Sequence, residues 1–241
     1  MVRMELHWCD GAKHADLRGV EPIVLAILLG IVIVVVVVAV NLAAKKRREG
    51  LAALAQRLGL MFEPRTDSQM AQRFAFLNKL AQGSNRFAFN ILWGNFRQHA
   101  VYAFDYHYET YSRDSEGHRQ THDHYFSCLI LMLERQFPEL IIAREGLLSK
   151  IAQGLGYDDI DFESNEFSRT FCVRSRNKKF AYDFCHARMM EYLLQNQDLS
   201  IELEGSALAM TFSGRLDVAQ VEYNLNRLAQ LRTLIPKYLF S

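Results

Sequence analysis

The stretch Ile23–Val40, IVLAILLGIVIVVVVVAV, decides the architecture of this chain of 241 residues. It holds no charged and no polar side chain. A helix of that length rises by roughly 27 Å, which is close to the hydrocarbon core of a bilayer at about 30 Å. Because lipid offers the backbone no hydrogen-bond partners, such a segment crosses it as a helix. The sequence therefore predicts one transmembrane helix over residues 22–44.

A cleaved signal peptide is the alternative explanation of this segment. The apolar run is longer than a usual signal core, the residues before it carry charges of both signs, and no clear Ala-x-Ala cleavage site follows it. We therefore expect the helix to remain as an anchor. A multi-span transporter is excluded, since the chain has no second apolar run of this length.

The charges that flank the anchor predict its orientation. Four basic residues follow it directly: Lys45, Lys46, Arg47 and Arg48. Because cytoplasmic flanks carry the excess of Lys and Arg, we expect residues 1–21 outside the inner (cell) membrane and the C-terminal domain in the cytoplasm. The four basic side chains are also predicted to lie against anionic lipid headgroups, as a membrane-surface site.

Cysteine usage agrees with this orientation. Cys9 would lie on the outer side, and Cys128, Cys172 and Cys185 belong to the domain. Since the cytoplasm is reducing, we expect these three to be free and mostly buried thiols.

The rest of the chain predicts one α+β domain over residues 59–241, preceded by a basic juxtamembrane helix over residues 45–58 that ends at Gly59. The 16 Phe and 10 Tyr exclude disorder. Acidic and basic residues nearly balance in the domain, which argues against nucleic acid as a partner. Clustered strands, rather than regular strand–helix alternation, predict a mainly antiparallel sheet with flanking helices.

Turn and cap signals divide the domain further. We expect a helix from Asp67 or Ser68 to about Leu80. Strands are predicted over 87–92, 97–111, 121–133 and 140–143, with turns at 93–95 and 112–120 and a short helix over 146–153. The second half predicts a strand over 167–174, a helix over 178–194 interrupted near 185–186, a hairpin of 199–204 with 207–213, and a last helix capped by Asp217.

Histidines of the predicted hairpin are candidate metal ligands. His122 and His124 are two residues apart and so share a strand face, and His107 lies on the facing strand. Three imidazoles suit zinc, and Asp105 or Asp123 would assist hydrolysis there. The alternative is a solvated hairpin tip whose histidines are merely polar. We predict no cofactor and keep zinc as the alternative.

Two further segments have less specific chemistry. The acidic stretch 158–163 lacks the glycine and the terminal glutamate of an EF-hand loop, so we interpret it as a strand or strand entry with Ile160 and Phe162 inward. Cys185 and His186 are sequence neighbours, but a catalytic pair is set by spatial arrangement.

The aromatic segment 90–108 favours a structural role. Four of its aromatic residues fall on one strand face, where packing in a core is the expected role: Tyr102, Phe104, Tyr106 and Tyr108. Exposure of some of them would instead create a groove for a peptide or lipid.

Several blocks resemble an uncharacterised family of bacterial single-pass membrane proteins, a domain of unknown function. The blocks are 90–94 (NILWG), 103–108 (AFDYHY), 159–163 (DIDFE) leading to Glu166-Phe167, and 188–191 (RMME). The resemblance extends over about residues 74–235. It implies a bacterial protein with an N-terminal span and a cytosolic domain, and it carries no known activity or assigned site.

The sequence thus predicts a non-enzymatic domain of unknown function that binds a protein or lipid partner at the inner membrane face. The single anchor, the neutral α+β domain and the lack of a coherent catalytic motif favour this hypothesis. The alternative is a metal-dependent hydrolase or other metalloenzyme that uses His107, His122 and His124.

Overall fold

The computed structural model describes residues 20–144 and 159–241. The chain divides into two compact units, Met1–Lys46 and Arg47–Ser241. Helix α1 runs over Val20–Leu58 and so includes both segments that the sequence predicts as helical, 22–44 and 45–58. Its segment from Val24 onward is long and apolar enough to cross a membrane, and none of the most apolar window is buried. Gly59, with a φ of 69°, ends the helix.

Six strands follow in the second unit among the described residues. Their bounds are β1 Met61–Glu63, β2 Ser84–Phe96, β3 His99–Arg113, β4 Arg119–Arg144, β5 Phe171–Arg174 and β6 Ser200–Ser213. The helices are α2 Ser68–Arg73, α3 Asn165–Thr170, α4 Lys178–Phe184, α5 Ala187–Gln195 and α6 Val218–Leu234, with a final 3₁₀ turn at Lys237–Phe240. The fold is α+β, as predicted.

All pairings in the sheet are antiparallel, in the order β1-β2-β3-β4-β5. The long strand β4 also pairs with β6 along its other edge. Its first half therefore lies between β3 and β6, and its last residues lie between β5 and β6. This arrangement places the end of β6, together with Asp105 within β3 and Ser127 within β4, beside the loop that precedes α6.

Each face of the sheet has its own apolar core. On one face, residues of α1 from Leu51 onward pack with α4, α5 and α6. On the other face, α2 and the turns after it cover the aromatic residues of β3. Phe104, Tyr106 and Tyr108 are buried there with Tyr102 packed against them, which confirms their predicted structural role.

Several boundaries differ from the predictions. The chain does not turn at 93–95, because β2 continues to Phe96 and the turn is made by Arg97 and Gln98, both with positive φ. The predicted hairpin across Gly205 is wrong: β6 is one strand, and Gly205 pairs with Phe137, where β4 carries extra residues between Met132 and Leu140. A bulge of this kind keeps the strand in the sheet while bending it.

Two further predictions, one of a helix and one of a strand, differ from the structure. Helix α2 ends at Arg73, and short turns continue so that Phe74, Leu77 and Leu80 all reach the core. The residues predicted to begin a strand at 167 form helix α3 instead, because Ser164 caps it by accepting the Phe167 N–H.

The remaining boundaries follow the sequence closely. The break between α4 and α5 lies at 185–186 as predicted, and Asp217 caps α6. Cys128, Cys172 and Cys185 are free and buried, as predicted. The helix predicted over 146–153 and Cys9 lie outside the described residues.

Candidate functional site

The predicted histidine ligands do not come together. In the β3–β4 pairing, His107 lies opposite Tyr125, and Tyr108 lies opposite His124. Since successive side chains of a strand point to opposite faces, His107 is on one face and His122 with His124 is on the other. His122 and His124 instead bond the side chains of strand β3 beside them, across distances of 2.7 Å. The prediction that His107, His122 and His124 together form one zinc site is therefore wrong, because the strand register places them on two faces of the sheet.

His107 is held as a structural residue. It is buried and stacks on the ring of Phe87, with centroids 4.4 Å apart. Its Nδ1 lies 3.1 Å from the carbonyl oxygen of Asn85, and its Nε2 lies 2.7 Å from Asp123 Oδ1. Of the two predicted assisting carboxylates, Asp123 thus contacts His107 directly.

A different cluster has metal-like spacing: the ligand atoms of His107, Glu109 and Asp123 all lie within 4.8 Å of one another. Each of them already has protein partners. Glu109 accepts hydrogen bonds from the Asn85 amide and the Tyr111 hydroxyl, and these bonds lower the pKa of Glu109. The cluster is therefore satisfied by hydrogen bonds within the protein.

Asp105 forms the most enclosed polar centre of the sheet. Its side chain is fully buried and accepts hydrogen bonds from Arg47 Nη2 at 2.5 Å, Asn90 Nδ2 at 2.7 Å and the Leu216 N–H at 2.6 Å. Arg47 Nη1 also donates to the Leu216 carbonyl at 3.0 Å. Asp105 thus ties the start of the second unit to β2, β3 and the loop before α6. Enclosed in this way, it is not placed to assist hydrolysis.

The same ion pair gives Arg47 a role apart from its neighbours in the basic cluster. The Arg47 side chain is 23% exposed, whereas Lys45, Lys46 and Arg48 are exposed residues. Because its guanidinium binds Asp105 and Leu216, Arg47 is a structural residue of the domain. The membrane-surface role of the other three stays a prediction.

A polar cleft of about 310 Å³ opens where β4, β6 and the start of α6 meet. The polar residues that line it are Ser127, Asp198, Ser213, Arg215, Asp217, Gln220, Asn224 and Arg227, with the hydroxyl-bearing ring of Tyr223. The apolar part of its wall comes from Leu129, Phe212 and Val221. The cleft lies beside Leu216, whose N–H binds Asp105.

Arg227 lines this cleft and is 7% exposed. Its Nη1 donates to Asp198 Oδ2 at 2.8 Å and its Nη2 to Oδ1 at 2.5 Å, and Nη1 also reaches Asn224 Oδ1 at 3.1 Å. These bonds from Arg227 hold the pKa of Asp198 below its usual range. The Arg227 Nε is buried and has no hydrogen-bond partner among the described residues.

Arg215 stands at the rim of the cleft. Its guanidinium carbon lies 4.6 Å from the ring centroid of Tyr125 and 5.6 Å from that of Phe89, which is cation–π geometry. No carboxylate of residues 20–144 or 159–241 forms an ion pair with it. Ser127, 4% exposed, also lines the cleft, and its hydroxyl bonds no described residue.

The described part of the acidic stretch, residues 159–163, forms no strand, but its alternating burial follows the prediction. Ile160 and Phe162 are buried between exposed acidic residues. Asp159 accepts bonds from Arg174 Nε at 2.6 Å and Cys172 Sγ at 2.5 Å. Burial raises the pKa of Asp159, but these two hydrogen bonds outweigh burial and hold the pKa below its usual value.

Cys185 and His186 do not form a catalytic pair. Burial raises the pKa of the Cys185 thiol well above its usual value, so it stays protonated. The His186 Nε2 lies 2.9 Å from the Leu234 carbonyl, which accepts a hydrogen bond from the ring and closes the end of α6.

The sequence did not predict the residues that line the cleft. One signal was available: Asn224 and Arg227 interrupt the apolar stripe of α6, at positions where an amphipathic helix buries its side chains. Asp198 and Arg215 carry no comparable signal, because each lies in a connection between elements.

Comparisons with known proteins identify a solved structure of similar fold. The chain matches no protein-family model and no curated protein. Among solved structures it is similar to the mycobacterial trehalose monomycolate transport factor A, TtfA, with a TM-score of 0.55 and 16% sequence identity. The match covers 80% of this chain and 96% of that chain. At this identity the likeness concerns the fold, and this chain therefore shares the α+β architecture of TtfA.

Proposed function

We propose that this protein is a membrane-anchored accessory factor that binds a lipid or protein partner at the inner membrane face and takes part in lipid transport. The observation that carries the proposal is the fold shared with a transport factor for trehalose monomycolate. The apolar helix α1 supports it, since a lipid-transport factor works at a bilayer. The family resemblance of the sequence to bacterial single-pass proteins agrees with it.

The orientation is part of the proposal. The basic residues after the anchor favour a cytoplasmic domain, and the three free cysteines of the domain suit a reducing compartment. Binding rather than chemistry is proposed because two of the four charged side chains of the cleft, Asp198 and Arg227, are paired with each other.

The test compares the membrane lipids of cells that contain and lack the protein. Lipids and glycolipids of the inner membrane and the outer envelope are quantified by mass spectrometry in a deletion strain, and again after complementation with the full chain. We expect one lipid class to accumulate in the inner membrane and to return to its normal distribution on complementation. An unchanged distribution of every lipid class would contradict lipid transport.

The anchor requirement is tested in the same strain with a chain that starts at Arg47. A factor that meets its partner at the bilayer should complement poorly without α1 residues 20–46, at equal protein level. Full complementation by the anchorless chain would overturn the proposed site of action.

A further inference from the structure

We propose that the cleft at the start of α6 binds a neutral, polyhydroxylated ligand, the sugar portion of a glycolipid. The cleft is defined by the polar residues Ser127, Asp198, Arg215, Asp217, Gln220 and Arg227. The inference deepens the proposed function and rests on it for one point, that the sugar is attached to a lipid. That the cleft binds a sugar is argued from the side chains that line it.

The cleft offers both hydrogen-bond donors and acceptors. Arg215, Ser127 and Gln220 are the donors, and the Ser127 hydroxyl and the Arg215 guanidinium make no hydrogen bond to any described residue. The acceptors are the carboxylates of Asp198 and Asp217. Because each sugar hydroxyl both donates and accepts, a wall with both kinds of group fits it.

The two carboxylates keep acceptor capacity for a ligand. Asp198 is 59% exposed at its side chain, although two of its lone pairs bind Arg227. Asp217 uses only Oδ1 to cap α6, where it accepts the Ala219 N–H at 3.0 Å. An ionised carboxylate has about four acceptor sites, so both groups remain open to ligand hydroxyls.

The charge balance of the cleft disfavours an anion. Arg215 and Arg227 are matched by Asp198 and Asp217, and Arg227 is already paired with Asp198. A phosphate or carboxylate bound here would face two carboxylates, and like charges that are close together repel. A neutral ligand has no such cost.

An unpaired polar atom in the wall of the cleft supports a ligand-binding site. Arg227, 7% exposed, lines the cleft, and its Nε–H is buried without a hydrogen-bond partner among the described residues. Buried polar groups are normally hydrogen-bonded, and those that are not need an explanation such as a missing ligand or water.

Size and shape agree with a sugar. The volume of about 310 Å³ lies at the lower end of small-molecule sites, which are about 300–1,000 Å³. Tyr223, 54% exposed, lines the cleft with the Arg227 guanidinium 5.2 Å from its ring centroid. An exposed ring beside polar groups offers a face for the C–H side of a pyranose.

The binding experiment uses the full chain in nanodiscs of phosphatidylethanolamine and phosphatidylglycerol, which contain no sugar. Trehalose and methyl α-glucoside are the neutral probes, and glycerol and inorganic phosphate are the comparison probes. Saturation-transfer NMR detects binding, and a titration gives each Kd. We expect both sugars to bind and glycerol and phosphate to give no specific signal.

Two matched variants locate the site on α6. Gln220→Ala removes an exposed side chain that lines the cleft, and Gln230→Ala removes an exposed one elsewhere on the same helix. Loss of one ligand hydrogen bond should raise the Kd about three- to tenfold for Gln220→Ala. Gln230→Ala should bind like the unchanged protein, and near-UV circular dichroism checks that both variants are folded.

Several outcomes would overturn the inference. These are no sugar signal from the folded protein, phosphate binding in place of sugar binding, and equal weakening by Gln220→Ala and Gln230→Ala. If sugar binding fails while the deletion strain still accumulates a lipid, the cleft assignment falls and the transport function stands. If the sugars bind but the lipid distribution is unchanged, the transport function falls and the cleft assignment stands.

Discussion

The Arg47–Asp105 ion pair predicts a large difference between two adjacent arginines of the basic cluster. Arg47→Met keeps an unbranched side chain of similar reach and removes the charge. Asp105 then remains as a fully buried carboxylate with only the Asn90 amide and the Leu216 N–H as donors. Arg48 is exposed, so Arg48→Met is the matched control.

The magnitude follows from the burial of the pair. Removing one partner of a buried ion pair costs about 3–5 kcal/mol of unfolding free energy, because it leaves an uncompensated buried charge. Arg47 is 23% exposed and solvent screens the pair in part, so we expect the lower end, about 3 kcal/mol. Arg48→Met should change stability by less than about 0.5 kcal/mol.

The assay is urea unfolding of the full chain in detergent micelles, followed by near-UV circular dichroism at a fixed protein-to-detergent ratio. The double variant Arg47→Met/Asp105→Asn completes a mutant cycle, and we expect its loss to be smaller than the sum of the single losses. If Arg47→Met and Arg48→Met lose the same stability, or if the two single losses simply add, Arg47 is not held by Asp105 as described.

Three further predictions concern other parts of the chain. Burial raises the pKa of Glu202 from 4.5 to about 7, against the hydrogen bonds from the Lys79 and Asn78 N–H groups. The folded protein therefore keeps a proton that the unfolded chain releases, and the unfolding free energy falls as the pH rises from about 4.5 to about 7. Glu202→Gln should flatten that fall in unfolding curves measured between these pH values, and an unchanged slope would argue against the buried proton. A membrane-impermeant maleimide should label reduced whole cells at Cys9, and Cys9→Ser should abolish the label; labelling only after lysis would reverse the predicted orientation. Zinc should leave the Tm of the purified protein unchanged, because the candidate ligands around His107 already bond within the protein; a rise in Tm that His107→Gln removes would establish a metal site instead.

Local patterns in the sequence predicted many elements and few of the site residues. The cap at Asp217 and the break at 185–186 depend on neighbours within one or two turns, so they were predictable. The turn at 97–98 was missed because Arg97 and Gln98 both take positive φ without being glycine. Gly205 signalled a turn but lies inside β6, since only pairing with β4 distinguishes a turn from a continuous strand.

In the candidate sites, too, the sequence predicted local features and missed contacts between distant residues. The histidines of the hairpin were correctly placed on strands, but whether His107 meets His124 depends on the β3–β4 register, and that register puts them on opposite faces. The cleft brings together Asp198 and Arg227, which are 29 positions apart, with Ser127 from β4. No local pattern encodes these contacts.

The sequence by itself determined the long apolar helix, the α+β class and the buried free thiols, because hydrophobic runs and periodicities are properties of a short stretch of chain. Only the tertiary structure decided that Arg47 belongs to the domain through Asp105, that the histidines are separated, and that a polar cleft forms at the start of α6. These contacts depend on strand register and on the packing of α6 against β4 and β6, which residues distant in the chain set together.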